Sequence, residues 1–219
     1  MSRGWYPAQG FMPAAPEGHH RVFPNEFTLS SDSLTPSELF RPGQKYGGLT
    51  RYVHRRHPNW VLIFTDGSCP NNGQWDAKAG WAFVDRLGPG GGPAVTRGPL
   101  NGPSVQTSNR AELQAVISAL SSQALGNDVQ KIVIATDSEY VAKGATQWAP
   151  AWVSNGWRGY GNTRVKNKDL WEMLLDEVER WDQMGISIEF WRIPRDENKV
   201  ADAAARAAAE EALAMGARY

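Results

Sequence analysis

Hydrophobic positions change rhythm along this chain, and the change falls near residue 58. From Trp60 to Thr65 they run almost unbroken, as in a buried strand, and the run stops at Asp66-Gly67. Ala79 to Arg86 and Ala94 to Leu100 read as two further strands, split by the glycine-rich turn Gly88 to Pro93, so an antiparallel meander is predicted. Leu113, Val116, Ile117 and Leu120 then recur at helical spacing. Lys131 to Thr136 reads as a strand and Ser138 to Thr146 as a helix. Asp169 to Gln183 is a second long helix, with Trp171, Leu174, Leu175, Val178 and Trp181 along one side. Ile186 to Ile193 is the last strand and Lys199 to Met215 an alanine-rich last helix. This order predicts an α/β fold: a mixed five-stranded sheet, three strands antiparallel and two parallel, flanked by helices.

Residues 1–58 lack any sustained period. Pro7, Gly10, Pro13, Pro16, Gly18, Pro24, Pro36, Pro42, Gly43, Gly47 and Gly48 interrupt them, which predicts an irregular or disordered extension. One helical turn is expected at Thr35 to Phe40, with Thr35 as cap, Pro36 first and Glu38 closing a capping box. The expected division is therefore an extension over 1–58, a folded domain over 59–215 and a short tail over 216–219.

Composition narrows the function classes. Net charge is zero, so attraction to a polyanion has to come from a local patch. Cys69 is the sole cysteine, which excludes an internal disulfide framework and fits a reducing compartment. No apolar run is long enough for a membrane span, and no apolar signal core opens the chain. The expected setting is intracellular, in the nucleus, cytoplasm or mitochondrion. His19-His20 and His54/His57 have no Cys or further His to close a zinc site.

Four short segments carry the candidate chemistry: TDGS at Asp66, SNRAEL at Glu112, ATDSEY at Asp137 and NKVAD at Asp202. Each acid has an ordinary structural role available. Glu112 completes a capping box with Asn109 as cap, Asp137 is placed as an N-cap, Asp202 favours a helix dipole, and Asp66 suits a turn. All four nonetheless fall at strand ends and helix starts, where α/β sheets form their ligand crevice. Carboxylates converging there repel, and their pKa values rise unless a cation neutralises them. Hard oxygen donors suit Mg²⁺ or Mn²⁺, and the matching reaction class is metal-assisted phosphodiester hydrolysis.

Residues 60 to about 210 resemble ribonuclease H of the cellular type I branch. The matching motifs run in order: Phe64-Thr65-Asp66-Gly67, the QTSNRAE run from Gln106 to Glu112, and Thr136-Asp137-Ser138. They continue with Trp148 through Trp157, Val165 through Leu170, and Asn198 through Asp202. The resemblance implies hydrolysis of the RNA strand of an RNA–DNA hybrid, leaving 5′-phosphate and 3′-hydroxyl ends. It implies two Mg²⁺ ions, replaceable by Mn²⁺, at Asp66, Glu112, Asp137 and Asp202 with Gly67. It also implies 2′-hydroxyl readers at Asn72, Ser108 and Asn109, DNA-channel aromatics at Trp148 and Trp152, and a phosphate pocket at Thr107 and Asn167. The tryptophans lie among Lys143, Arg158, Arg164, Lys166 and Lys168, a mixture suited to sugar stacking and phosphate neutralisation.

The chain departs from the family pattern twice. Val105 stands where an arginine often supports the phosphate pocket. The link from last strand to last helix, Ile193 to Asn198, lacks the family's glycine-rich, His-containing loop, which implies a slower enzyme. Glu197 or Asp196 is the candidate substitute for that His, with Asn198 beside them. A monomer without membrane association is expected. The alternative is a non-catalytic hybrid- or double-strand-binding module of the same fold.

Overall fold

The computed structural model describes residues 21–28, 34–46, 48–102, 105–122 and 128–216. Its strands are β1 (Asn25–Glu26), β2 (Phe40–Tyr46), β3 (Leu49–His54), β4 (Trp60–Ser68), β5 (Gly80–Leu87), β6 (Pro93–Pro99), β7 (Lys131–Thr136) and β8 (Ser187–Arg192). Helices are α1 (Pro36–Leu39), α2 (Ser108–Ser121), α3 (Glu139–Lys143), α4 (Ala149–Ser154), α5 (Lys168–Gln183) and α6 (Lys199–Gly216). All the strands join one sheet in the order β1-β8-β7-β4-β3-β5-β6, with β2 paired to β3. β4, β7 and β8 run parallel, while β3, β5 and β6 run antiparallel to their neighbours.

The predicted α/β class holds, but the sheet is larger than five strands, and the irregular extension expected up to residue 58 needs correcting. β2 and β3 form a hairpin, and β3 pairs with β4 through Tyr52–Leu62 and Val53–Val61. Gly and Pro around this hairpin hid it, and the inward position of β3 is filled by a charge. Arg51 is buried and forms an ion pair with buried Asp85 of β5. The expected turn at Thr35 is present as α1, where the Thr35 amide donates to Glu38 Oε2 at 2.7 Å, although Phe40 already belongs to β2. Residues 1–20, 29–33, 47 and 217–219 of the expected extension and tail lie outside the described residues.

Alternation along the central strands sets the two layers. Val61, Ile63, Ile132, Ile134, Ile188 and Phe190 bury one face against Leu113, Val116 and Leu120 of α2 and Trp171, Leu174 and Leu175 of α5. Leu62, Val133, Ala135 and Trp191 point the other way, against Phe27 and Phe40 from the N-terminal segments. A strand covered on both faces needs apolar residues at every position, hence the near-continuous run in β4. Each fully buried aliphatic side chain contributes about 1.5–3 kcal/mol. α6 packs on β5 through small residues, Ala82 against Ala204 and Ala205. Among the described residues no helix is long and apolar enough to cross a membrane.

Candidate active site

β4 carries Asp66 to the carboxyl end of the sheet, where it is 7% exposed. Gly67 lets α2 come close: a β-carbon there would lie 2.1 Å from the Glu112 amide nitrogen. Glu112 thereby reaches the same end of the sheet. The cap of α2 is Thr107, whose hydroxyl accepts from the Arg110 amide at 3.3 Å, not Asn109 as the capping-box reading has it. With Asn109 inside the helix, the Glu112 carboxylate is free of capping and accepts from Ser138 Oγ at 2.6 Å. Ser138, rather than Asp137, likewise caps α3 by accepting from the Val141 amide at 3.2 Å. Asp137 stands between β7 and α3 without a capping duty.

Asn198 ties the remaining parts together. It is 1% exposed, and its Nδ2 donates to Asp137 Oδ1 at 2.7 Å and to the Thr65 carbonyl at 3.0 Å. The Asn198 carbonyl accepts from the Asp202 amide as α6 begins. Asp202 itself accepts from Arg195 at 2.6 Å and from Arg206 at 3.2 Å.

The four carboxylates sense one another. Burial, then Asp137, with smaller contributions from Asp202 and Glu112, pushes the Asp66 carboxyl up to about 8 against the opposing Gly67 amide. Burial also raises Glu112, partly offset by the Ser138 hydrogen bond. Arg195 is held charged by the adjoining Asp202 and feels Asp137 and Asp66 as well. Each carboxylate has a local partner, and among the described residues no three acidic, His or Cys side chains close on a single point. The donor chemistry still fits a hard divalent cation. The oxygens of Asp66, Glu112, Asp137 and Asp202 are those available to hold one, and burial first, the neighbouring acids second, raise the Asp66 carboxyl.

The predicted nucleic-acid residues fall into three places. Asn72 is exposed in the loop between β4 and β5, while Ser108 and Asn109 open α2. Thr107 and Asn167 are linked through Arg110, which caps onto Thr107 through its amide and reaches Asn167 Oδ1 at 3.4 Å with its guanidinium. Arg110 also pairs with Asp169, and the substituting Val105 is exposed. Trp148 and Trp152 lie 5.8 Å apart by ring centroids, half-buried against Tyr140 and Trp171. Trp148 closes a π-helical turn, Gly144–Trp148, and Trp152 lies in α4, which carries Pro150 in its first turn. Beyond them Arg158, Arg164 and Lys166 are exposed. Glu197 instead lines a pocket with Tyr52, Phe64 and Val84. Sequence reasoning missed Ser138, Arg195 and Arg206. Arg195 carried no helical spacing signal, because a 3₁₀ turn at Arg195–Glu197 intervenes before α6.

Sheet and cleft together define an α/β protein with an acidic strand-end site of the nuclease kind. The RNase H family model matches residues 58–210. The chain is 38% identical over 164 residues to a ribonuclease H of Verminephrobacter eiseniae, spanning 73% of this chain and 96% of that protein. It is 42% identical over 126 residues to a ribonuclease H of Treponema pallidum, spanning 52% and 70% respectively. Among solved structures, LC9-RNase H1, described as a type 1 RNase H with the type 2 active-site motif, aligns with a TM-score of 0.50 at 25% identity. That alignment covers 69% of this chain and 72% of the other. A foamy viral protease-reverse transcriptase shares the fold, with a TM-score of 0.50 at 24% identity over 68% of this chain and 92% of that one. The chain belongs to the RNase H family.

Proposed function

We propose that this protein is an endoribonuclease that cuts the RNA strand of RNA–DNA hybrids, using two divalent cations and leaving 5′-phosphate and 3′-hydroxyl ends. The observation that carries this reading is the electrostatic coupling of Asp66, Glu112, Asp137 and Asp202 at the sheet end, in a chain of this family. Mg²⁺, or Mn²⁺ in its place, supplies Lewis acidity for the attacking water and the leaving oxygen when bound. Asp66, Glu112, Asp137 and Asp202, with the Gly67 backbone, hold the metals in this reading. Asn198 keeps Asp137 oriented, and Ser138 does so for Glu112. Asn72, Ser108 and Asn109 read 2′-hydroxyls, which only the RNA strand offers. Trp148, Trp152, Thr107 and Asn167 take the DNA strand. Glu197 assists turnover where the family's His is missing. All four carboxylates come from one chain, and a monomer is the unit this reading takes.

A second reading, a hybrid-binding module without turnover, draws on one observation: Asp202 is already engaged by Arg195 and Arg206. Cleavage of an end-labelled hybrid with and without Mg²⁺ separates the two. The expected result is metal-dependent cutting of the RNA strand alone, reduced about a hundred- to a thousandfold in Asp137→Asn, the order a single catalytic group commands. Glu197→Ala in the same assay is expected to slow turnover with hybrid affinity unchanged. Tight binding without cutting in Mg²⁺ or Mn²⁺ leaves the binding module.

A further inference from the structure

Trp75 is 98% exposed, as fully as Tyr160 at 101% on the tryptophan-bearing segment, whereas Leu49, Val95, Val200 and Met173 are 37%, 40%, 45% and 46% exposed. An indole left almost wholly in water keeps a large apolar surface unburied. Its loop leaves β4 just past Asp66 and Gly67 and returns at Gly80. The loop is built from successive turns: the Asn72 amide donates to the Cys69 carbonyl at 3.0 Å, Gln74 to Asn71 at 3.0 Å, and Ala77 to Gln74 at 3.3 Å. Its underside is already filled, since Cys69, Ala77 and Ala79 pack with Leu100 and Ala111. Gln106 staples the loop to the start of α2. Its Oε1 accepts from the Ala79 amide at 2.7 Å and its Nε2 donates to the Leu100 carbonyl at 2.9 Å.

The core beneath this loop therefore has no need of the indole. The loop instead continues, through Asn72, from the strand end that carries Asp66, and Gln106 holds it beside the start of α2, where Ser108 and Asn109 lie. We propose that Trp75 is a substrate-contacting residue whose ring lies against sugars and base edges in the minor groove of the hybrid. This inference rests on the hybrid reading of the function. The minor groove of an A-like duplex is wide and shallow, so a flat ring fits it, and stacking on nucleotides tolerates any sequence. The polar readers beside it discriminate the 2′-hydroxyl, and Trp75 adds the apolar contact they lack.

The test is an anisotropy titration of a fluorophore-labelled RNA–DNA hybrid without divalent cations, followed by steady-state cleavage in Mg²⁺. Trp75→Ala is expected to weaken hybrid binding and raise KM five- to tenfold, and Trp75→Phe to recover to within twofold of wild type. An unchanged thermal midpoint in Trp75→Ala confirms that the loss is one of contact rather than folding. A Kd and KM in Trp75→Ala within twofold of wild type overturn the proposal. Wild-type binding without cleavage sinks the nuclease reading alone, and the ratio of Kd values still decides Trp75. A wild type that binds no hybrid overturns both.

Discussion

Two hydroxyl-bearing residues decide what the acids are free to do. Thr107 and Ser138 take the capping positions of α2 and α3, which releases Glu112 and Asp137 from roles their spacing also permits. That the acids fall at strand ends and helix starts was legible in the sequence; that they act as one set came from the family resemblance. Which neighbour caps was not legible, since Asx and Ser/Thr compete on nearly equal terms and backbone dihedrals decide. Arg195 was equally hidden, because it meets Asp202 through a turn of irregular pitch. The Asp66 carboxyl has a consequence for stability. Its folded value is about 8 against an ordinary 3.8, so between those values the native state binds the extra proton. Stability without divalent cations accordingly falls as pH rises through that interval and is lowest above it. Thermal melts of metal-free protein are expected to show this slope, and Asp66→Asn to flatten it. Adding Mg²⁺ at pH 8 is expected to raise the wild-type midpoint and leave that of Asp66→Asn nearly unmoved.

At the scale of elements, α6 shows how composition becomes geometry. Its alanines carry little bulk, so the helix settles onto β5 until backbone meets backbone. A β-carbon at Gly80 would lie 2.4 Å from the Ala209 nitrogen and 2.5 Å from the Ala205 oxygen. Because those atoms are main chain, neither can swing aside. Gly80→Ala is expected to cost about 1–3 kcal/mol, the range for overpacked cores, measured as a fall in urea-unfolding free energy. The alanine-rich helix was plain from the sequence, as was the long α5 with its apolar stripe. The π turn before α4 was not. Pro150 fits a helix start and stands in the first turn of α4, but no residue signals that the turn before it widens, with the Ala149 amide donating to the Gly144 carbonyl.

For the whole molecule, the telling interaction is the pair Arg51–Asp85, both under 3% exposed. Removing one member of a buried pair strands the other, at a typical cost of about 3–5 kcal/mol. Arg86 also reaches Asp85, at 3.0 Å, so the lower end applies. Arg51→Met is expected to lower unfolding free energy by about 3 kcal/mol, and the double change Arg51→Met/Asp85→Leu to restore most of it; no restoration would falsify the attribution. Pattern reading missed this hairpin for a physical reason: its inward position is occupied by a cation, which mimics a solvent-facing residue until the partner strand is known.

β4 and β5 pair from Ser68–Gly80 to Phe64–Val84 and then diverge, and β3 occupies the fork, reaching β4 through Val53 and β5 through Arg51. The family match begins at residue 58, but no seam in the folded object falls there. A domain excised at that line would keep every recognisable motif and leave an open wedge in the middle of its own sheet.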